Sequence, residues 1–310
     1  MFISQVPTAL ILCALFSAAL SVMSPHEYGE RCDNIKKLTE VSTKYLQRGE
    51  SNIQVRVEKN IIESKNANKV IATKQIRPPV KYYIKTPSQS MEKIPDEKEF
   101  FAYTLLHLLG VAPKEHFVYW DKCLYIGTED AKFTEYKSLK DEKMKIILKS
   151  KAKAISLILA LSDVTDNFGN FGLKQEQPQT PALMIVDFAI NDPWDEDGTY
   201  ESEGILKISD KEKLDYMREA YYMIKDKFHS SIVNAKKKLD KFREVNPDVI
   251  APSNLNKYID GIKSNFIKFG EKISSIEKAR YSKNLPRKPA PPKNRRLASK
   301  AKPRRKVGSQ

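Results

Sequence analysis

The sequence SDVTDNFGNFGL, at residues 162–173, and the sequence MIVDF, at residues 184–188, decide how the rest of the chain is interpreted. The first is a glycine-broken loop with two aspartates and two asparagines, Asp163, Asp166, Asn167 and Asn170. The second is a short apolar strand pattern that contains Asp187. Magnesium binds oxygen ligands in near-octahedral geometry and usually takes only one or two protein carboxylates. Phosphoryl transfer also requires an aspartate that orients the attacking hydroxyl, so we interpret these two stretches as a candidate reaction centre.

The same residue types are common in turns, so this loop alone leaves a second interpretation open. Asn, Asp and Gly favour tight turns because they bond the local backbone or tolerate a positive φ. On that interpretation DNFGN, at residues 166–170, simply connects a helix to a strand. The residues that precede the loop along the chain must decide between the two.

Residues 52–85 show the alternation of apolar and polar residues that is typical of strands. Ile53, Val55 and Val57 alternate with polar residues, KVIATKQI follows a polar turn, and VKYYIK follows two prolines. This pattern predicts three antiparallel strands, the last of which ends at Lys85. A lysine on a strand normally faces solvent, so Lys85 is of interest only because of the residues that follow it.

The segment EFFAYTLLHLLG, at residues 99–110, predicts an amphipathic helix that ends at Gly110. Glu99 lies in its first turn, where the helix dipole stabilises a carboxylate for structural reasons alone. Alternatively, Glu99 pairs with Lys85 and holds that lysine against the phosphates of a nucleotide. Glu97 is a rival for this role. The segments HFVYW and CLYIGTED then predict a two-stranded hairpin.

Helical patterns account for most of the remaining chain. Residues 139–161 form the strongest of them and lead directly into the Asp/Asn loop. Three further stretches, at about 209–230, 231–244 and 253–279, repeat apolar residues at helical spacing. The sequence therefore predicts an α+β protein with an antiparallel sheet in its first half and helices in its second.

The two ends of the chain differ from its body. Residues 7–23 form an uncharged apolar run that ends in small residues, which is typical of a signal peptide; an uncleaved anchor over residues 1–23 is the alternative. No other run is long and apolar enough for a transmembrane span. Residues 281–310 carry +11 of the formal net charge of +15 and almost no bulky apolar residue. We expect a basic disordered tail that either contacts nucleic acid or an anionic surface or remains solvated.

Cysteine usage gives no sign of a disulfide framework. The chain has three cysteines, Cys13, Cys32 and Cys123, and the first lies in the apolar run. Three cysteines are too few for a small disulfide-rich fold, and 310 residues are enough for a substantial hydrophobic core. Removal of a signal peptide would leave Cys32–Cys123 as the one possible pair, and we do not expect that pair to form.

The order of these parts resembles that of the protein-kinase-like fold: strand lysine, helix glutamate, hinge-like strand, long helix, Asp/Asn loop and strand-terminal aspartate. More narrowly, the motifs YYIKTP, EFFAYTLLHLLGVAP, LYIGTED, DNFGNFGL and IVDF resemble the atypical branch that contains HipA-like and phosphoinositide-kinase-like enzymes. The resemblance covers about residues 50–190. It implies a two-lobed α+β fold. A small N-lobe over residues 24–130 holds a leading helix, an antiparallel sheet and one further helix, and a mainly helical C-lobe covers residues 131–280.

The resemblance also implies roles for the candidate residues. Lys85 would contact the phosphates of ATP with Glu99 as its partner, and Asp187 would be the principal magnesium ligand. Of the two asparagines, Asn167 or Asn170 would be the second ligand.

The catalytic base would be Asp163 or Asp166, and we favour Asp163 together with Asn170. The familiar spacing from base to metal-binding asparagine is five residues, whereas Asp163 precedes Asn170 by seven and Asp166 precedes it by four. A second departure concerns the link between the first two strands, KNIIESKNANK, which lacks the glycines that usually cover the phosphates. Ser64 and Asn66 are possible substitutes.

The sequence thus predicts a kinase-like phosphotransferase that uses magnesium and ATP on a protein or lipid hydroxyl. The signal peptide implies export, which would suit an effector delivered into another cell, because ATP is scarce outside cells. The alternative is a pseudokinase or binding scaffold whose basic tail contacts nucleic acid or anionic surfaces.

Overall fold

A computed structural model describes residues 32, 35–47, 54–58, 69–86, 96–121, 123–174, 182–190, 211–246 and 254–284. The chain divides into two units, Met1–Ile273 and Ser274–Gln310. In the second unit, the structure describes only the end of a helix that stops at Asn284. Residues 281–284, which were expected to belong to a disordered tail, are therefore helical. The predicted signal peptide, the link between the first two strands and residues 285–310 lie outside the described residues.

A five-stranded antiparallel sheet forms the first half of the protein, as the alternation of apolar residues predicts. Its strands are β1 (Val55–Glu58), β2 (Lys69–Lys74), β3 (Val80–Lys85), β4 (Glu115–Trp120) and β5 (Cys123–Glu129). They lie in the order β1-β2-β3-β5-β4. Lys69 is directly opposite Lys85 in the register of β2 and β3. Because side chains on paired residues leave the same face of a sheet, these two lysines share a face.

Helix α1 (Ile35–Gln47) covers the other face of this sheet. Its buried Leu38 and Val41 form one apolar cluster with Val70, Ala72 and Ile84 of β2 and β3. Alternation along a strand then places Lys69 and Lys85 on the face opposite to α1.

A disulfide joins Cys32, at the start of the α1 region, to Cys123, the first residue of β5. Our expectation that this pair would not form is therefore wrong. Both cysteines are fully buried in the cluster between α1 and the sheet. Packing of α1 on the sheet brings together two residues separated by 91 positions, which no local pattern in the sequence indicates.

Helix α2 (Glu97–Leu109) follows the sheet's third strand and is buried on nearly all sides. Asp96 caps it by accepting a hydrogen bond of 2.8 Å from the backbone N–H of Lys98. It ends at Gly110, whose φ of +77° is readily adopted only by glycine. The predicted helix and its C-terminal stop are both present.

Within its described residues, the second half holds four helices and two small sheets. The helices are α3 (Glu142–Leu159), α4 (Lys211–Lys225), α5 (Phe228–Val245) and α6 (Leu255–Asn284), and a 3-10 turn spans Tyr136–Ser138. A three-stranded sheet has the order β6-β8-β9, from β6 (Phe133–Glu135), β8 (Phe171–Lys174) and β9 (Ala182–Ile185). A two-stranded sheet pairs β7 (Leu161–Ser162) with β10 (Ala189–Ile190).

Four of these strands, β6, β7, β8 and β10, were not predicted, and each has only two to four residues. The close packing of β8 on β6 depends on Gly172, since an added Cβ would lie 2.0 Å from the carbonyl oxygen of Thr134. The architecture is α+β, as predicted, with an antiparallel sheet in the first half. Of the helices in the described ranges, none combines the length and the hydropathy that a bilayer span requires.

Candidate active site

Lys85, the last residue of β3, is the most buried cation of the candidate site, with 5% of its surface exposed. Its Nζ lies 2.7 Å from Oδ1 of Asp187 and 3.8 Å from Oε1 of Glu99. It also lies 5.3 Å from the centre of the Tyr103 ring. Burial alone would lower the pKa of Lys85, but the negative charges of Asp187 and Glu99 raise it well above its ordinary value. Lys85 is therefore a charged ammonium throughout the physiological pH range.

Glu99 lies in the first turn of α2 and is fully buried. The neighbouring rival, Glu97, instead pairs with Arg243 of α5 at 3.0 Å. Glu115 of β4 also pairs with α5, through Lys238. These ion pairs link α2 and β4 to α5. The carboxylate of α2 that faces Lys85 is that of Glu99.

Asp187 lies between β9 and β10 and receives hydrogen bonds on both carboxylate oxygens. Oδ1 accepts from Lys85 at 2.7 Å, from the backbone N–H of Phe188 at 3.1 Å and from the Tyr103 hydroxyl at 3.4 Å. Oδ2 accepts from Lys69 at 3.3 Å. Burial would raise the pKa of Asp187, but the charges and hydrogen bonds of the two lysines outweigh it and lower the pKa to about 2. Asp187 is therefore an anion at neutral pH.

Sequence analysis missed two residues of this group, Tyr103 and Lys69, and Lys69 is the charged one. It is the first residue of β2, and 29% of its side chain is exposed, compared with 6% for Lys85. The signal that could have found it is the pairing of β2 with β3, which places Lys69 opposite Lys85. A prediction made strand by strand, without a register, does not show that the two lysines face one carboxylate.

Asn170 connects the Asp/Asn loop to Asp187. Its Nδ2 donates to the carbonyl oxygen of Asp163 at 2.8 Å and to Oδ2 of the same residue at 3.2 Å. The backbone carbonyl oxygen of Asn170 accepts hydrogen bonds from the backbone N–H groups of Val186, at 2.8 Å, and Asp187, at 3.5 Å. The structure thus brings Asp163, Asn170 and Asp187 together. Asp163 has a φ of +60°, a conformation tolerated by aspartate in tight turns.

Asn167 and Asp166 lie in the same loop as Asn170 but, unlike Asn170, are not buried. Both are exposed, and Oδ1 of Asn167 accepts a hydrogen bond of 3.2 Å from the backbone N–H of Gly169. The backbone N–H of Asn170 donates to the carbonyl oxygen of Asn167 at 3.0 Å. Asn167 therefore shapes the turn that presents Asn170, and the geometry favours Asn170 over Asn167 as a candidate ligand.

The oxygen atoms at this site fit the demands of magnesium. In the part of the chain that the structure describes, no group of three or more His, Cys, Asp or Glu side chains could hold a metal ion. Magnesium does not need such a group, because it binds through one or two carboxylates together with water and phosphate oxygens. The Asp187 carboxylate is 28% exposed. The Asn170 amide donates through its nitrogen, so its oxygen is the atom that could bind a cation.

Comparisons with known proteins add little to this geometry. No protein-family model matches the chain, and no curated protein matches it. Among solved structures, the chain is similar to that of the GDP complex of wild-type aminoglycoside 2'-phosphotransferase-IIIa, with 12% sequence identity and a TM-score of 0.33, over 74% of this chain and 98% of that one. A TM-score this low does not establish a common fold. The narrower resemblance to the HipA-like or phosphoinositide-kinase-like branch stays a prediction.

Proposed function

We propose that this protein is a kinase-like phosphotransferase that uses magnesium and ATP to phosphorylate a protein or lipid hydroxyl. The observation that carries the proposal is the convergence of Lys85, Glu99 and Asp187, from a strand, a helix and a strand-terminal turn that are far apart in the sequence. Lys85 Nζ lies 2.7 Å from Asp187 and 3.8 Å from Glu99. In protein kinases, a strand lysine paired with a helix glutamate, together with an aspartate that binds magnesium, positions the nucleoside triphosphate.

Each residue then has a chemical role. Lys85 binds phosphate oxygens and Glu99 orients it, while Asp187 and Asn170 would hold the magnesium ion, which supplies charge neutralisation on the phosphates. Asp163 accepts a hydrogen bond from the acceptor hydroxyl. That hydroxyl oxygen forms the new bond to the γ-phosphorus, the bond to the bridging oxygen breaks, ADP leaves with the electron pair, and the hydroxyl proton passes through Asp163 to solvent. Most of the rate enhancement comes from positioning and charge.

The protein is also proposed to be exported. The apolar run at residues 7–23 supports a signal peptide, and the Cys32–Cys123 disulfide supports folding in an oxidising compartment, where such bonds persist. Because ATP is scarce outside cells, the enzyme must act in a compartment that contains nucleotide, such as the interior of another cell.

Magnesium-dependent ATP turnover by the full chain tests the activity. Asp187→Ala should abolish turnover while the far-ultraviolet circular dichroism stays unchanged. Asp260→Ala is the matched control, because Asp260 is 76% exposed and pairs only with the neighbouring Lys263 among the described residues. Equal turnover by Asp187→Ala and the parent protein would contradict the proposal. Asp163→Asn should lose turnover and Asp166→Asn should retain it, if Asp163 is the base.

A second candidate is a binding scaffold without phosphotransferase activity. Two features favour it: residues 59–69 contain no glycine, and residues 281–310 carry a charge of +11. Removing residues 285–310 leaves α6 complete and separates the candidates. Polyanion binding that disappears on truncation and weakens steeply with salt, in a protein that never binds nucleotide, would favour the scaffold.

A further inference from the structure

We propose that Lys69 is a second phosphate-binding lysine of this site. Without nucleotide, Lys69 and Lys85 both bind the Asp187 carboxylate; when a nucleotide binds, both lysines move to its phosphates. Nucleotide and divalent cation would then bind cooperatively. This inference rests on the proposed function and assigns a role to a residue that the resemblance to kinases does not include.

The geometry places both lysines on one carboxylate. Lys85 Nζ lies 2.7 Å from Oδ1 of Asp187, and Lys69 Nζ lies 3.3 Å from Oδ2. The two lysines are register partners on the face of the sheet opposite to α1. Lys85 is nearly buried, whereas 29% of the Lys69 side chain is exposed. Lys85 is therefore the inner ammonium and Lys69 the outer one, so the two lysines are placed to contact different phosphates of one triphosphate.

The sequence before Lys69 gives a reason for a second lysine. In kinases, backbone N–H groups of a glycine-rich loop cover the phosphates, but residues 59–68, between β1 and β2, contain no glycine. Lys69 is the first residue after this link. A lysine supplies to a phosphate a full charge and three donors, and it can do so without the backbone conformations for which glycine is needed.

Occupation of both Asp187 oxygens affects the binding of metal. A divalent cation that arrives alone must displace two ammonium groups and is repelled by their charges. When a triphosphate binds, the lysines gain anionic partners and the carboxylate becomes accessible to the cation. By thermodynamic linkage, nucleotide raises the affinity for the cation and the cation raises the affinity for nucleotide by the same factor.

Replacing Lys69 separates this role from a purely structural ion pair, because the two affinities should change in opposite directions. In Lys69→Met, loss of one charged donor should weaken ATP binding by about tenfold or more. The same change exposes Oδ2 of Asp187, so Mn²⁺ in the absence of nucleotide should bind several-fold more tightly. A purely structural ion pair predicts a different result for ATP: its loss would leave the ATP affinity unchanged, or would weaken both affinities by disturbing the site.

The experiment uses the full chain, with ATP binding followed by calorimetry at fixed Mg²⁺ and Mn²⁺ binding followed by electron paramagnetic resonance without nucleotide. Lys74→Met is the matched control, because Lys74 belongs to the same strand but to the other face, and both affinities should stay at the parent values. Lys69→Arg keeps the charge and should restore weak Mn²⁺ binding and most of the ATP affinity.

An unchanged ATP affinity in Lys69→Met, with or without a change in Mn²⁺ binding, or parallel weakening of both affinities, would overturn the inference about Lys69 while the proposed function stands. Absence of ATP binding in the parent protein, with or without metal, would overturn the proposed function and this inference together.

Discussion

Replacing Asp187 with asparagine, which has nearly the same shape but no charge, should lower the free energy of unfolding by an amount that depends on pH. The carboxylate has a pKa of about 2 in the folded protein, against an ordinary value of 3.8. A group with a lowered pKa in the folded state stabilises that state above its unfolded pKa, and the stabilisation is lost as the pH falls through the folded pKa. In Asp187→Asn this contribution is absent at every pH.

The pKa shift of Asp187 sets the size of the expected effect. In metal-free and nucleotide-free buffer the parent should exceed Asp187→Asn in free energy of unfolding by about 2.5 kcal/mol at pH 7, about 2 kcal/mol at pH 4 and about 1.3 kcal/mol at pH 3. Most of the change therefore falls between pH 4 and pH 2. The side chain is 28% exposed, so solvent screening makes these values upper estimates.

Urea denaturation at several pH values between 7 and 3 measures this difference. Asp260→Asn is the control: its carboxylate is largely exposed, and its difference from the parent should stay below about 0.5 kcal/mol at every pH. A difference between parent and Asp187→Asn that does not vary with pH would refute the reasoning, because it would show that the two lysines do not hold the carboxylate in its charged form.

Three further changes test other parts of the structure. Lys85→Met should lower the free energy of unfolding by about 3–5 kcal/mol in urea, because it removes the cation beside the buried Glu99; parent-like stability would contradict the buried ion pair. Reducing the Cys32–Cys123 disulfide should destabilise by about 2–4 kcal/mol, seen as a lower melting temperature in dithiothreitol, and a Cys32→Ser variant should show no such response to the reductant. Gly172→Ala should cost about 1–3 kcal/mol or more, since its Cβ would lie 2.0 Å from a carbonyl oxygen, whereas Gly169→Ala, with its nearest atom at 3.5 Å, should cost less than half as much.

Much of the fold follows from periodicity in the sequence. The alternation in residues 52–85 predicts β1, β2 and β3, and EFFAYTLLHLLG predicts α2 with its end at Gly110. Both patterns are long enough to repeat several times, so local preferences and burial agree. The short strands β7 and β10 hold two residues each, and they form only because the surrounding chain supplies a partner.

Choosing among the candidate site residues required the three-dimensional structure. Glu97 and Glu99 are two positions apart and leave a helix in directions about 160° apart, so sequence alone could not tell which faces Lys85. The same holds for Asn167 and Asn170, because only the turn reveals that one side chain bonds a backbone N–H and the other reaches Asp163. Lys69 required the register of two strands.

Binding of ATP with magnesium to the full chain, measured as a shift in melting temperature, tests most directly whether Lys85, Glu99 and Asp187 form a nucleotide site. At ATP concentrations about a hundredfold above the dissociation constant, a ligand that binds only the folded state adds about 2.7 kcal/mol of stability, which corresponds to a rise of roughly 5–10 °C. We predict this rise for the parent and its loss in Asp187→Asn. An unchanged melting temperature in the parent, or an equal rise in the variant, would contradict a nucleotide site built on Asp187.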